Sequence, residues 1–219
     1  DLAGWEATYE APLTYHYAGL EIGKCGPWSQ GPVQLQTLAL LNEMGVADWN
    51  PVSTDFVHGV TEALKLAFAD REAYYGDPDF VKVPLKQLLS REYNQERSKE
   101  ISDQASLELR PGKISGFEVR MPEFDSSGRG DERFSAMGIG EPTVSKKGET
   151  RGDTCHVDVV DRWGNMVSAT PSGGWLQSSP VIPELGFCLN SRAQMFWLQE
   201  GLPATLAPGK RPRTTLTPS

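Results

Sequence analysis

The chain has 219 residues, 38% of them hydrophobic and 23% charged, which suffices for one large domain with its own core. A formal net charge of −8 and a pI near 5.0 speak against nucleic acid, whose binders carry basic patches, and give no support to binding at an anionic membrane. No apolar run approaches the ~18–20 residues of a membrane span, and no signal-peptide pattern stands at Asp1-Leu2-Ala3.

Sixteen prolines and 22 glycines predict much loop. Three cysteines (Cys25, Cys155, Cys188) and three histidines (His16, His58, His156) are scattered too widely for a disulfide framework or a zinc site, so no metal and no cofactor are expected.

Residues 1–26 read as irregular strands broken at Pro12, with Tyr15–Gly23 alternating as one half-buried strand. Cys25–Pro32 is a tight loop. Leu35, Leu38, Leu40, Leu41 and Met44 fall at helical spacing over Val33–Met44, and Gly45 stops that helix. Ser53 or Thr54 caps a longer helix, with Asp55 in its first turn and a stripe of Phe56, Val60, Ala63 and Ala67 beside Val57, Leu64 and Phe68. His58 borders that stripe and reads as structural. Two such helices in succession fit one layer covering a sheet.

Tyr74–Phe80 ends the second helix, and Asp77 and Asp79 around Pro78 read as a turn rather than an acid–base pair. Leu85–Leu89 is a short helix, and Ser90–Ile101 is another whose Arg, Glu and Lys predict a solvated face.

From 102 to 153 the apolar residues lose any period, as in a flexible connector. Two Arg-Gly-Asp tripeptides in it (Arg129–Asp131, Arg151–Asp153) are too short to carry an adhesion function. A hairpin follows: Val157, Val159 and Val160 suit a pleated, buried surface, Trp163-Gly164-Asn165 turns, and Met166–Thr170 returns. Thr154 opens it. If the bond between Asp153 and Thr154 were cut, the threonine would carry a free α-amine beside its hydroxyl. An amine with a reference pKa of ~8 can serve as the base that hydroxyl needs. Spacing alone favours the plainer reading, the first residue of a strand.

Further residues bear on that choice. Thr154-Cys155-His156, the following Val-Val-Asp and Gly-Asn, Gly186–Asn190, Asp70-Arg71, Tyr75–Pro84 and the tail from Lys210-Arg211-Pro212 to Ser219 together resemble the gamma-glutamyltransferase (gamma-glutamyltranspeptidase) family, essentially end to end. The resemblance implies an α/β fold of the N-terminal nucleophile hydrolase type, an αββα sandwich, here a fragment lacking N- and C-terminal parts. Residues 1–153 would be the end of the large-subunit region, with 102–153 the flexible stretch before cleavage, and 154–219 the start of the small subunit.

The resemblance further implies a zymogen that cleaves itself between Asp153 and Thr154, an acyltransferase or amidohydrolase of glutathione metabolism, and a periplasmic or extracellular setting. It would act on a small amide or peptide, partnered by the missing parts of its own precursor as a two-piece heterodimer. A non-catalytic relative that keeps the fold for binding or assembly is the alternative.

Site residues carry over position by position. Thr154 matches the nucleophile, Ser172 the second hydroxyl that orients it, and His156 a neighbour on the same side of the strand, suited more to packing and hydrogen bonding than to general-base work. Gly174 stands where relatives carry an asparagine that contacts the substrate. Arg192 and Met195 replace the Glu/Gln and Asp that hold the substrate's α-ammonium. Two like charges ~4 Å apart cost about 4 kcal/mol at an effective dielectric of 20, and a guanidinium cannot accept a hydrogen bond, so glutamate recognition is expected to be altered. Arg192 suits a carboxylate instead. Thr214 and Thr215 replace a serine pair that grips the α-carboxylate and keep its hydroxyls.

Overall fold

The computed structural model describes residues 4, 6–123, 156–170, 180–190 and 192–216. These fall in two compact units, Asp1–Pro122 with Trp197–Ser219, and Glu123–Phe196.

In the first unit the chain opens with a hairpin, β1 (Leu13–Tyr17) against β2 (Leu20–Lys24), antiparallel with Tyr17 opposite Leu20. The single strand expected over Tyr15–Gly23 is therefore corrected: Ala18 (φ 50°) and Gly19 (φ 83°) form a two-residue turn. Positive φ at both central positions matches the twist of the flanking strands.

Helix α1 (Gly31–Glu43) starts two residues before the expected one. Pro32 sits in its first turn, where a missing N–H costs nothing. A Cβ on Gly31 would lie 2.5 Å from the Cys25 carbonyl, so only glycine admits this entry. Helix α2 (Thr54–Tyr74) is capped by Ser53, whose hydroxyl accepts from the Phe56 N–H at 3.2 Å.

Leu40 and Leu41 of α1 pack with Ala63 and Leu66 of α2 and with Val46, flanked by Trp49, Phe56 and Ile101. A second cluster joins Val33, Ala67, Ala73, Tyr74, Tyr75, Leu88 and Ile114. Each fully buried Leu or Val contributes about 1.5–3 kcal/mol. The expected α2 stripe needs one correction: Val57 and Leu64 are exposed, and the inner face instead runs through Leu66, Ala69 and Ala73.

Short helix α3 (Leu85–Leu88) and helix α4 (Arg91–Ser98) follow, the latter capped by Ser90. The face of α4 expected in solvent is partly buried. Asn94 and Arg97 lie inside, Asn94 because it donates to the Leu88 and Ser90 carbonyls and Arg97 because α2 presents it with partners. Arg97 donates to Asp70 Oδ1 (3.4 Å), Glu100 Oε2 (2.6 Å) and the Arg110 carbonyl (2.6 Å). Asp70 also accepts from Gln36 Nε2 (2.6 Å), the Tyr93 hydroxyl (2.8 Å) and the Gly112 N–H (2.7 Å). Burial pushes its carboxyl up, against the pull of Arg97 and these donors.

Residues 102–123 have no helix or strand. Residues 106–112 are tied to α2 by such side-chain bonds, including Arg110 to Glu62 at 2.9 Å, and Ile114 is buried in the second cluster. No helix among the described residues is long and apolar enough to cross a membrane.

Among its described residues the second unit contains two hairpins, β3 (Val157–Val160) with β4 (Met166–Ala169) and β5 (Val181–Ile182) with β6 (Phe187–Cys188). A single 3₁₀ turn, Arg192–Met195, follows them. The described architecture is thus α/β, with each sheet two-stranded.

Candidate functional site

Asp153, Thr154, Ser172 and Gly174 lie outside the described residues. What is described begins two residues after Thr154, at the hairpin it opens. Strands β3 and β4 form as the valine pattern predicts, with Val157 opposite Ala169 and Val160 opposite Met166. The turn is tied by Asp161, whose carboxylate accepts from the N–H groups of Trp163 (2.8 Å) and Asn165 (2.9 Å) and from Asn165 Nδ2 (2.7 Å). Gly164 takes φ 86°, which a side chain would resist. The expected burial is corrected: Val157, Val159, Val160, Met166 and Val167, pointing to both faces, are each more than half exposed. A two-stranded ribbon has no second layer of its own to cover either face.

His156 lies just ahead of β3 with both ring nitrogens partnered. Nε2 is 2.9 Å from Asp158 Oδ2 and Nδ1 is 2.7 Å from Thr170 Oγ1. A neutral ring that donates from Nε2 to the carboxylate would accept from the Thr170 hydroxyl at Nδ1. Hydrogen bonds from Ser168 and His156 hold the Asp158 carboxyl below its usual range.

In the same unit, Arg192 heads the 3₁₀ turn, and its backbone N–H donates to Asn190 Oδ1 at 3.0 Å. It is only 4% exposed, and burial lowers its pKa. Met195, in the same turn, is half-buried.

Thr214 and Thr215 belong to the first unit. The Thr214 N–H donates to the Trp28 carbonyl (2.7 Å), and the Gln30 N–H donates to the Leu216 carbonyl (3.2 Å), so this segment runs along the 25–32 loop. That loop is packed through buried Ser29, which accepts from the Gly31 N–H and donates to the Gly26 carbonyl. Cys25, Gly26 and Trp28 also line a groove of about 810 Å³ together with Glu10, Asp77 and Arg211.

Arg211 closes one side of the groove. Its Nε (3.1 Å), Nη2 (2.8 Å) and backbone N–H (2.8 Å) all donate to Asp77, Nη1 donates to Glu10, and the guanidinium lies over the Trp28 ring at 5.6 Å. Asp79 donates its N–H to Asp77 at 3.2 Å, as the turn reading expects. The ion pair with Arg211, 134 residues away, left no local sequence signal. Among the described residues no group of three or more His, Cys, Asp or Glu could hold a metal ion.

The gamma-glutamyltranspeptidase family model matches residues 1–219. The chain belongs to that family. It is 30% identical to a glutathione hydrolase proenzyme of Bacillus subtilis subsp. natto and 32% identical to the acylase ACY 1 proenzyme of Pseudomonas sp. strain SE83. Both alignments cover all of this chain but only 35% and 34% of those proteins, so the chain spans about a third of the curated relatives it matches. Among solved structures, LmbA2991HD is 52% identical with a TM-score of 0.73, over 99% of this chain and 34% of that one.

Sequence reasoning missed the buried arginines that organise the first unit. Arg71 and Arg213 are 4% and 3% exposed and grip each other's backbone. Charge at those positions reads as surface until its partners are known.

Proposed function

We propose that this chain is the junction region of a self-processing hydrolase or acyltransferase of the gamma-glutamyltranspeptidase family. Cleavage between Asp153 and Thr154 would free the Thr154 amine, which takes the proton of its own hydroxyl as that oxygen attacks an amide carbonyl. The acyl group passes to Thr154, the amine leaves with the proton, and water or a second amine releases the acid or a new amide. Ser172 orients the nucleophile. His156 belongs to the supporting layer, since both of its nitrogens already have partners on the hairpin.

The observation that carries this reading is the family match across the whole chain, together with relatives named as proenzymes of hydrolases and acylases. The apolar side chains on both faces of β3–β4 support an interior place for that hairpin, in an αββα sandwich completed by the remaining parts of the precursor.

Specificity is proposed to depart from glutamate. A buried guanidinium at Arg192 stands where the α-ammonium of a γ-glutamyl group would need an acceptor, and Gly174 offers no side chain. An acyl group bearing a carboxylate suits Arg192 better, and in the first unit Thr214 and Thr215 keep the hydroxyls of the serine pair they replace. A panel of acyl 4-nitroanilides given to the processed full-length protein tests this. A glutaryl compound, which lacks the ammonium, should be cleaved faster than its γ-glutamyl counterpart. Preference for the γ-glutamyl compound would overturn the specificity reading, and no cleavage at all would favour a non-catalytic relative.

A further inference from the structure

We propose that Arg71 is a positioning residue for the substrate segment Thr214-Thr215, fixing its backbone so that the Thr214 hydroxyl faces the acyl carboxylate. This rests on the reading of Thr214 and Thr215 given above. Arg71 lies in the last turn of α2, and its Nη2 donates to the carbonyls of Arg213 (3.4 Å) and Thr214 (3.3 Å). Arg213 answers: its Nη1 donates to the Arg71 carbonyl at 2.9 Å, and its Nη2 reaches both oxygens of Glu72 at 2.7 Å. From the opposite side, the Thr214 N–H is held by the Trp28 carbonyl. Both backbone polar groups of Thr214 are thus fixed.

The Thr214 hydroxyl is the exception. The residue is 7% exposed, and its Oγ1 has no hydrogen-bond partner. Buried polar groups are nearly always satisfied, and here the hydroxyl is left open beside the Nε atoms of Arg71 and Arg213, which also lack partners, so the cluster as a whole calls for an absent acceptor. The local charge indicates which kind. Two guanidiniums face one nearby carboxylate, Glu72, leaving an excess of positive charge that favours an anionic ligand. Burial and the neighbouring Arg213 lower the Arg71 pKa to about 9, so it is still charged at neutral pH in a place that opposes its charge. A planar fork able to span two successive carbonyls is the property lysine lacks.

The test uses the full-length protein with γ-glutamyl- and glutaryl-4-nitroanilide, comparing Arg71→Met, Arg71→Lys, Thr214→Val and the Arg71→Met/Thr214→Val pair. Loss of uniform binding raises KM without changing kcat, so Arg71→Met should raise KM by about tenfold with kcat within about twofold. Arg71→Lys should raise it by about threefold. The double variant should be no worse than the weaker single, because Arg71 acts through Thr214.

An Arg71→Met protein with a lowered Tm and an unchanged KM overturns the proposal, as do additive effects in the pair. If Arg71→Met does not fold, an unchanged KM in Arg71→Lys overturns it equally. A silent Thr214→Val would instead mean that another segment satisfies the hydroxyl, which removes the reading of Thr214 as a substrate group and the proposal with it. Failure of the wild type to cleave either anilide refutes the hydrolase reading on which both stand.

Discussion

Replacing Arg211 by Met tests whether the helical unit is closed by the Asp77 ion pair. Asp77 is 1% exposed, and the substitution removes two of its hydrogen bonds, from Nε at 3.1 Å and Nη2 at 2.8 Å, while the N–H groups of Arg211 and Asp79 remain. Stripping one partner from a buried pair costs ~3–5 kcal/mol. With two donors retained and Arg211 itself a third exposed, about 2 kcal/mol is the appropriate figure. At an m-value of ~2 kcal/mol/M this lowers the urea midpoint by ~1 M. Far-ultraviolet circular dichroism follows it, because helices α1–α4 all lie in this unit.

The pH dependence fixes the sign. Burial raises the Asp77 pKa, but hydrogen bonds from Arg211 and Asp79 outweigh it and leave the carboxyl below its ordinary value of 3.8. Hydrogen bonds from Arg211 and Trp28 likewise depress Glu10 below 4.5. A carboxyl depressed on folding contributes stability that is complete above its unfolded value and lost as pH falls through the folded one. The difference between wild type and variant should therefore be constant above about pH 5 and shrink steadily below about pH 4. A difference under ~0.5 kcal/mol at pH 7 would be no more than an exposed pair contributes. That result, or a difference independent of pH between 5 and 3, would refute the reasoning.

Other substitutions extend the account. Gly76→Ala would place a Cβ 2.3 Å from the Pro203 carbonyl oxygen, and since backbone must move to admit it, a loss of about 2 kcal/mol in urea unfolding is expected. Arg192→Gln replaces a buried cation by a hydrogen-bond acceptor and should raise kcat/KM for γ-glutamyl-4-nitroanilide by about tenfold or more, read from nitroaniline release. The Arg71 and Thr214 variants described above should act on KM as a unit rather than additively.

Local signals foretold the elements better than the packing. Ser53 before Asp55 and Trp163-Gly164-Asn165 between valine runs each have a short-range cause, and the structure places a cap and a turn there. Ala18-Gly19 carries little turn signal because Ala rarely takes positive φ, so in sequence the hairpin reads as one strand. Asn94 and Arg97 read as solvated because their charge and polarity are visible in sequence, whereas the Asp70 and Arg110 groups that receive Arg97 are brought there only by the fold. Residues 106–112 show no period for the same reason, being held by side chains of α2 rather than by a ladder of their own. The β3–β4 valines show the opposite limit. Their pattern announces burial, but the layers that would cover them are not formed by this ribbon.

The central claim is that scission before Thr154 creates the catalytic group. Intact-mass spectrometry of the freshly folded full-length protein and of its Thr154→Ala variant, paired with anilide turnover, measures it most directly. The account predicts two fragments from the wild type, the smaller beginning at Thr154, and a single inactive chain from the variant. An unbroken wild-type chain that turns over substrate, or full activity without the hydroxyl, would contradict it.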